Sequence, residues 1–175
     1  CFPLRADGKD CLDVGASTGG FTDCLLQHGA ARVVAVDVGK GQLHWKLRQD
    51  VRVTVIDRTN ARYLDPATLP FTPQLVVVDV SFISLTRILP AVVGVMEEAG
   101  QIVTLIKPQF EAGRDQVAKG GVVRDAAVRQ QVIDRVRGFG EDELGLTWRG
   151  VCESPVRGPA GNVEYLAYWG GKTTA

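Results

Sequence analysis

Short runs of Val, Ile and Leu alternate along the chain with segments whose apolar residues recur at helical spacing. The runs are Cys11–Val14, Arg32–Asp37, Val51–Ile56, Leu75–Asp79 and Ile102–Ile106. Most are apolar throughout rather than alternating, the pattern of parallel strands covered on both faces. Phe21–Gln27 and Leu85–Glu98 read as helices, with Gly29 and Gly100 as natural stops. Pro66 and Pro90 suit a helix start or a loop better than a strand interior. After Lys107 the pattern changes. Pro108–Val122 holds Gly113, Gly120 and Gly121 among mixed charges and reads as a mobile loop. Arg124–Phe139 follows as a charged amphipathic helix. Leu146–Cys152 and Asn162–Trp169, on either side of the Pro- and Gly-rich Ser154–Gly161, form a terminal hairpin-like pair. The expected fold is α/β, a doubly wound and mostly parallel sheet with an antiparallel terminal strand. One domain is expected over residues 1–175, with no internal repeat.

Composition narrows the function classes. The 175 residues are 45% hydrophobic and 23% charged, a globular balance. Lys plus Arg and Asp plus Glu each number 20, so the net charge is zero. A binder held to nucleic acid by phosphate attraction alone would carry a positive excess, so any such affinity is local or borrowed. The four cysteines, Cys1, Cys11, Cys24 and Cys152, show no C-x-x-C, and His28 and His44 suggest no paired site. No metal site and no disulfide framework are expected, and a cytoplasmic setting fits. No apolar run is long enough for a membrane helix. The chain opens at Cys1 and enters a strand by about residue 11, and so reads as part of a longer protein.

The first candidate site is the loop Asp13-Val-Gly15-Ala-Ser17-Thr18-Gly19-Gly20-Phe21, between the first strand and the first helix. Ligands of open parallel sheets bind outside the carboxyl ends of the strands, beside the first one. Gly15 allows a sharp turn, and Gly19 and Gly20 allow close backbone approach. A dinucleotide fingerprint would need glycine at position 17, where Ser17 stands, and a P-loop would need lysine where Phe21 stands. Asp13 suits a cationic or amine-bearing ligand, which points to S-adenosylmethionine. Asp37, ending the second strand, can accept both ribose hydroxyls. Asp57, ending the third, is either close to an adenine amine or a turn cap.

The second candidate site is the upper rim of the sheet. Asp79 ends one apolar run, Lys107 ends another, and Glu164 begins the last strand. If the first two strands are parallel and adjacent, and the last antiparallel, these three charges share one edge. The Asp79-Val-Ser-Phe82 run lacks the two prolines with which amino-methylating enzymes grip an exocyclic amine. No cysteine is placed for carbon-5 pyrimidine attack. Oxygen methylation requires only a hydroxyl held in line and a charged group to manage its proton.

Together the glycine loop, Asp37-Val-Gly39, Arg58-Thr-Asn-Ala-Arg62, Asp79-Val-Ser-Phe-Ile-Ser84, Lys107-Pro-Gln-Phe-Glu111 and Gly158-Pro-Ala-Gly-Asn-Val-Glu-Tyr165 resemble the TlyA (hemolysin A) family. That family lies within the FtsJ-like ribose 2′-O-methyltransferases. The resemblance implies a Rossmann-like class I methyltransferase sheet. It also implies S-adenosylmethionine as cofactor and cytidine 2′-hydroxyls of ribosomal RNA as substrate. Of the group's Lys-Asp-Lys-Glu set, Asp79, Lys107 and Glu164 carry over. The first lysine would lie ahead of residue 1, behind an S4-type RNA-binding domain, and Lys9 is not assigned to it.

Lys107 would orient the ribose hydroxyl and, when neutral, accept its proton. Its acidic neighbours favour the ammonium, so without the second lysine the chain alone is expected to be slow or inactive. Pro108–Val122 either closes over substrate, with Arg114 and Lys119 on phosphates, or is an ordinary surface loop. Phe82 either stacks on the target base or is a core aromatic. Trp45, Trp148 and Trp169 read as packing residues. A small-molecule O-methyltransferase and a non-catalytic RNA- or cofactor-binding module are the alternatives. A membrane-lytic role is the poorest reading, for want of a basic amphipathic helix.

Overall fold

The computed structural model describes residues 1–172. The parallel strands are β1 (Asp10–Val14), β2 (Arg32–Val36), β3 (Val53–Ile56), β4 (Leu75–Val78) and β5 (Gln101–Ile106). They are joined by helices α1 (Gly20–Gln27), α2 (Trp45–Arg48) and α3 (Leu89–Val95). A short helix α4 (Pro108–Glu111) and the longer α5 (Ala126–Gly138) precede the antiparallel pair β6 (Leu146–Glu153) and β7 (Tyr165–Lys172). The sheet order is β3-β2-β1-β4-β5-β7-β6, with β7 antiparallel to β5. The doubly wound sheet expected from the sequence is found.

The apolar runs are strands because both faces are covered. In β4, Val76 and Val78 pack toward α3 and α5, while Leu75 and Val77 pack toward α1 and the N-terminal segment. All four are buried. Strand β5 divides likewise, Ile102 and Ile106 on one side and Val103 on the other.

The order reverses between β1 and β4, whose carboxyl ends open side by side: Val14 pairs with Val78, so Gly15 stands opposite Asp79. One residue past each of the other four parallel strands comes a charge: Asp37 after β2, Asp57 after β3, Asp79 after β4 and Lys107 after β5. Ile106 pairs with Tyr165, so Glu164, just before β7, meets the same edge.

Several expectations need correction. The helix read over Leu85–Glu98 is a 3-10 turn at Leu85–Arg87 followed by α3, because Pro90 starts a new first turn. The presumed mobile loop after Lys107 is largely structured. It contains α4, a 3-10 turn at Arg114–Gln116 and a bridge between Ala118 and Val122. Buried Asn162 ties it down, accepting from the Val123 N–H at 2.9 Å and donating to the Gly121 carbonyl at 2.8 Å. Trp169 is fully buried with Trp148 edge-on to it, as packing residues, but Trp45 is 60% exposed. Cys1 and Cys152 form a disulfide, where no disulfide framework was expected. The segment after Cys1 lies along the terminal strands, with the Phe2 ring 5.3 Å from that of Tyr168, and spacing along the chain does not show that pairing. Among the described residues no helix is long and apolar enough to cross a membrane.

Candidate active site

A cavity of about 460 Å³ opens at the reversal point of the sheet. Gly15 and Ser17 from the first loop, Asp37, Thr59 and Asn60 from the next two, and Asp79 to Ile83 from the loop after β4 line it. Gly15 makes the arrangement possible. Its φ is +84°, and a Cβ there would stand 2.2 Å from the Asp79 carbonyl oxygen. The two loops therefore approach as closely as backbone permits.

Asp37 is held by backbone. Its Oδ2 accepts from the Ser17 N–H at 2.9 Å and its Oδ1 from the Gly39 N–H at 2.7 Å. Those bonds place the carboxylate at the cavity wall and fix the loop above it. Among the described residues the non-glycine positions with positive φ are Ser17 (49°), Arg58 (57°) and Phe82 (63°). Ser17 and Phe82 line the cavity, and Arg58 precedes Thr59, which also does. Such conformations cost about 1–3 kcal/mol each and cluster where a ligand is gripped.

Other residues of the glycine loop lie elsewhere. Asp13 is fully buried, because the two-residue period of β1 turns its side chain toward α1 and not up to the edge. Thr22 of α1 donates to Asp13 Oδ2 at 2.7 Å, while Oδ1 is buried without a hydrogen-bond partner. Burial pushes the carboxyl up from 3.8 to about 7; the Thr22 bonds oppose this, and Asp79 and Asp37 add to it. Gly19, at φ +105°, is shaped by protein packing, since a Cβ would meet Leu47 and Leu43 at 2.2 and 2.8 Å. Thr18, Gly20 and Phe21 are outside the cavity lining, as is Asp57. Asp57 accepts from Gly41 N–H at 3.2 Å and from the Arg48 guanidinium at 2.5 and 3.1 Å. Partial desolvation would raise its carboxyl, but Gly41 and Arg48 hold it below the ordinary value.

The rim charges do assemble. Lys107 Nζ lies 2.6 Å from Asp79 Oδ1 and donates to Ser81 Oγ at 2.9 Å. Its side chain is only 12% exposed, so this pair is shielded more than a surface ion pair. Glu164, buried, accepts from Gln109 Nε2 at 2.8 Å, and a Cβ at Gly158 would fall 2.5 Å from Glu164 Oε1. Ser81, Gln109 and Gly158 were not singled out from sequence, although all three stand in the runs that carry the family resemblance. Phe82 is 89% exposed with its ring 4.9 Å from that of Phe110, which overturns the core reading. Lys9 precedes β1 at the opposite edge of the sheet and donates to Gln101, away from Lys107.

The FtsJ-like methyltransferase family model matches residues 2–170. The chain is 52% identical, over 95% of its length, to the 16S/23S rRNA (cytidine-2′-O)-methyltransferase TlyA of Mycobacterium tuberculosis, and spans 62% of that protein. It is 45% identical, over 96% of its length, to Hemolysin A of Brachyspira hyodysenteriae, spanning 70% of it. A solved structure of a hemolysin-like protein from Streptococcus thermophilus superposes with a TM-score of 0.94 at 45% identity, covering 98% of this chain and 62% of that one. The chain thus spans less than two thirds of the length of the mycobacterial relative. With the glycine loop, the rim charges and a Rossmann-like class I sheet in place, this chain belongs to the FtsJ-like methyltransferase family.

Proposed function

We propose that the chain is the catalytic part of an S-adenosylmethionine-dependent methyltransferase acting on the ribose 2′-hydroxyl of cytidine in ribosomal RNA. The observation that carries this reading is the convergence of Asp79, Lys107 and Glu164 on the sheet edge beside the switch-point cavity. The cavity volume lies within the ~300–1,000 Å³ usual for ligand sites. The cradle that a Cβ at Gly15 would fill, and the Asp37 carboxylate at the cavity wall, fit a closely gripped ligand that offers hydroxyl donors. Gly15, Ser17 and Asp37 would hold S-adenosylmethionine, Asp37 through its ribose hydroxyls. When bound, the cofactor supplies an electrophilic sulfonium methyl group.

Lys107 orients the RNA hydroxyl and, in its neutral form, takes the proton that the oxygen gives up. The resulting ammonium is held by Asp79 and Ser81. Glu164, fixed by Gln109, completes the charged edge. Phe82, exposed beside Phe110, offers a ring face to the target base. The likeness to a named rRNA (cytidine-2′-O)-methyltransferase supports the substrate class. An S4-type RNA-binding module would bring much of the RNA affinity, in keeping with the neutral charge of this chain.

The test is methyl transfer from labelled S-adenosylmethionine to ribosomal subunits by the N-terminally extended protein, followed by alkaline hydrolysis of the RNA. A 2′-O-methyl blocks cleavage of its own linkage, so label in alkali-resistant dinucleotides is expected. Label in single nucleotides would mean base methylation and refute the proposal.

A further inference from the structure

Two loops at the carboxyl edge, residues 79–85 and 107–111, are joined by a row of contacts. At one end Lys107 reaches Asp79 and Ser81, and midway the rings of Phe82 and Phe110 lie 4.9 Å apart. At the other end Glu111 accepts from Ser84 Oγ and from the Leu85 N–H, each at 2.7 Å. Glu111 is buried, and its nearest cation, Arg135 of α5, stands 3.8 Å from Oε2 while donating to the Glu111 carbonyl. Burial pushes its carboxyl above the ordinary value. The methyl-transfer reading assigns this residue nothing.

We propose that Glu111 is a positioning residue: it fixes the separation of the two loops and so holds Lys107, Ser81 and Phe82 in register with the bound ribose. The inference rests on the function proposed above. The strain at Phe82 is the reason the position needs fixing. Phe82 sits at φ +63° between two anchors, Ser81 on Lys107 and Ser84–Leu85 on Glu111, and both anchors belong to residues 107–111. A strained conformation persists only where its surroundings over-determine it. Local capping does not explain Glu111, because Ser84 already caps the 3-10 turn through the Thr86 N–H. What Glu111 adds is a tie across the edge, to a segment far away in sequence.

The tie is made by two donors, a hydroxyl and an N–H, that point at the two carboxylate oxygens. A glutamine can keep both bonds, its oxygen accepting from the Leu85 N–H and its amide N–H donating to a Ser84 hydroxyl turned to accept. Glu111→Leu keeps nearly the size and removes both acceptors.

The experiment compares wild type, Glu111→Leu, Ser81→Ala and the double variant, with Glu111→Gln as the control that keeps the tie. Amide hydrogen exchange over residues 79–88 is expected to quicken about tenfold or more in Glu111→Leu and to stay near wild type in Glu111→Gln, with S-adenosylmethionine affinity within about twofold in both. Single-turnover methyl transfer in Glu111→Leu should fall by about 100-fold, as for an ångström-scale misplacement. The double variant should cost no more than the worse single change, because both act on one loop. Unchanged exchange in Glu111→Leu overturns the proposal whether or not RNA is methylated. So does a rate loss additive with Ser81→Ala, or a general fall in stability that takes cofactor binding with it. Faster local exchange in a protein that methylates no RNA would keep the tie and overturn the functional reading.

Discussion

Asp13 and Gly158 show how one atom's surroundings decide what a residue can do at this site. Asp13 is raised to about 7 by burial, so the folded chain binds its proton more tightly than the unfolded chain, whose value is near 3.8. Its contribution to stability is therefore fully present below about pH 4 and is lost as pH rises through about 7. Three units correspond to a ceiling on the order of 4 kcal/mol. Asp13→Asn should flatten this slope, measured as the difference in denaturant midpoint between pH 5 and pH 8. An unchanged slope would place the titration elsewhere. Gly158 matters for the opposite reason, a lack of atoms. A Cβ would press on Glu164 Oε1, the movable end of a side chain, so Gly158→Ala should cost under about 1 kcal/mol in stability. Displacing Glu164 should nevertheless lower methyl transfer about tenfold in a single-turnover assay. Equal rates would remove Glu164 from the reaction.

The elements explain which of these residues can be read from sequence. Asp37, Asp79 and Lys107 are legible because each ends a largely apolar run, and a parallel sheet delivers such positions to one edge. The inward turn of Asp13 was also legible in principle. Cys11 and Asp13 share a strand face, and that face meets α1. Ser81, Gln109 and Glu111 carry no such signal, since each acquires its partner only when loops distant in sequence meet, and Gly158 reads as one more turn glycine until its loop folds back on Glu164. The disulfide between Cys1 and Cys152 was illegible for the same reason. The loop after β4 adds a prediction of its own. Phe82 pays for a left-handed backbone while leaving its ring in solvent. Phe82→Gly should raise stability by about 1 kcal/mol in a thermal melt, and weaken RNA affinity in a filter-binding titration. A loss of stability, or unchanged RNA affinity, would return Phe82 to a packing role.

At the scale of the molecule, neutral charge and a sheet edge with one lysine define what the chain supplies. The fold brings the cavity and the Asp79–Lys107 pair together, while Lys9 lies at the far edge and cannot assist. Placing an S4-type RNA-binding module ahead of the chain should raise methyl transfer at limiting RNA by about 100-fold through effective concentration. Equal rates with and without the module would show that the chain holds RNA unaided.

The most direct measurement replaces Lys107, the residue proposed to take the proton. In Lys107→Ala, S-adenosylmethionine should bind within about twofold of wild type, because Gly15, Ser17 and Asp37 are untouched. Single-turnover methyl transfer to ribosomal RNA should fall by about 10²–10⁴-fold, the usual contribution of a placed acid or base. Undiminished transfer by Lys107→Ala would contradict the account of this edge as the catalytic one.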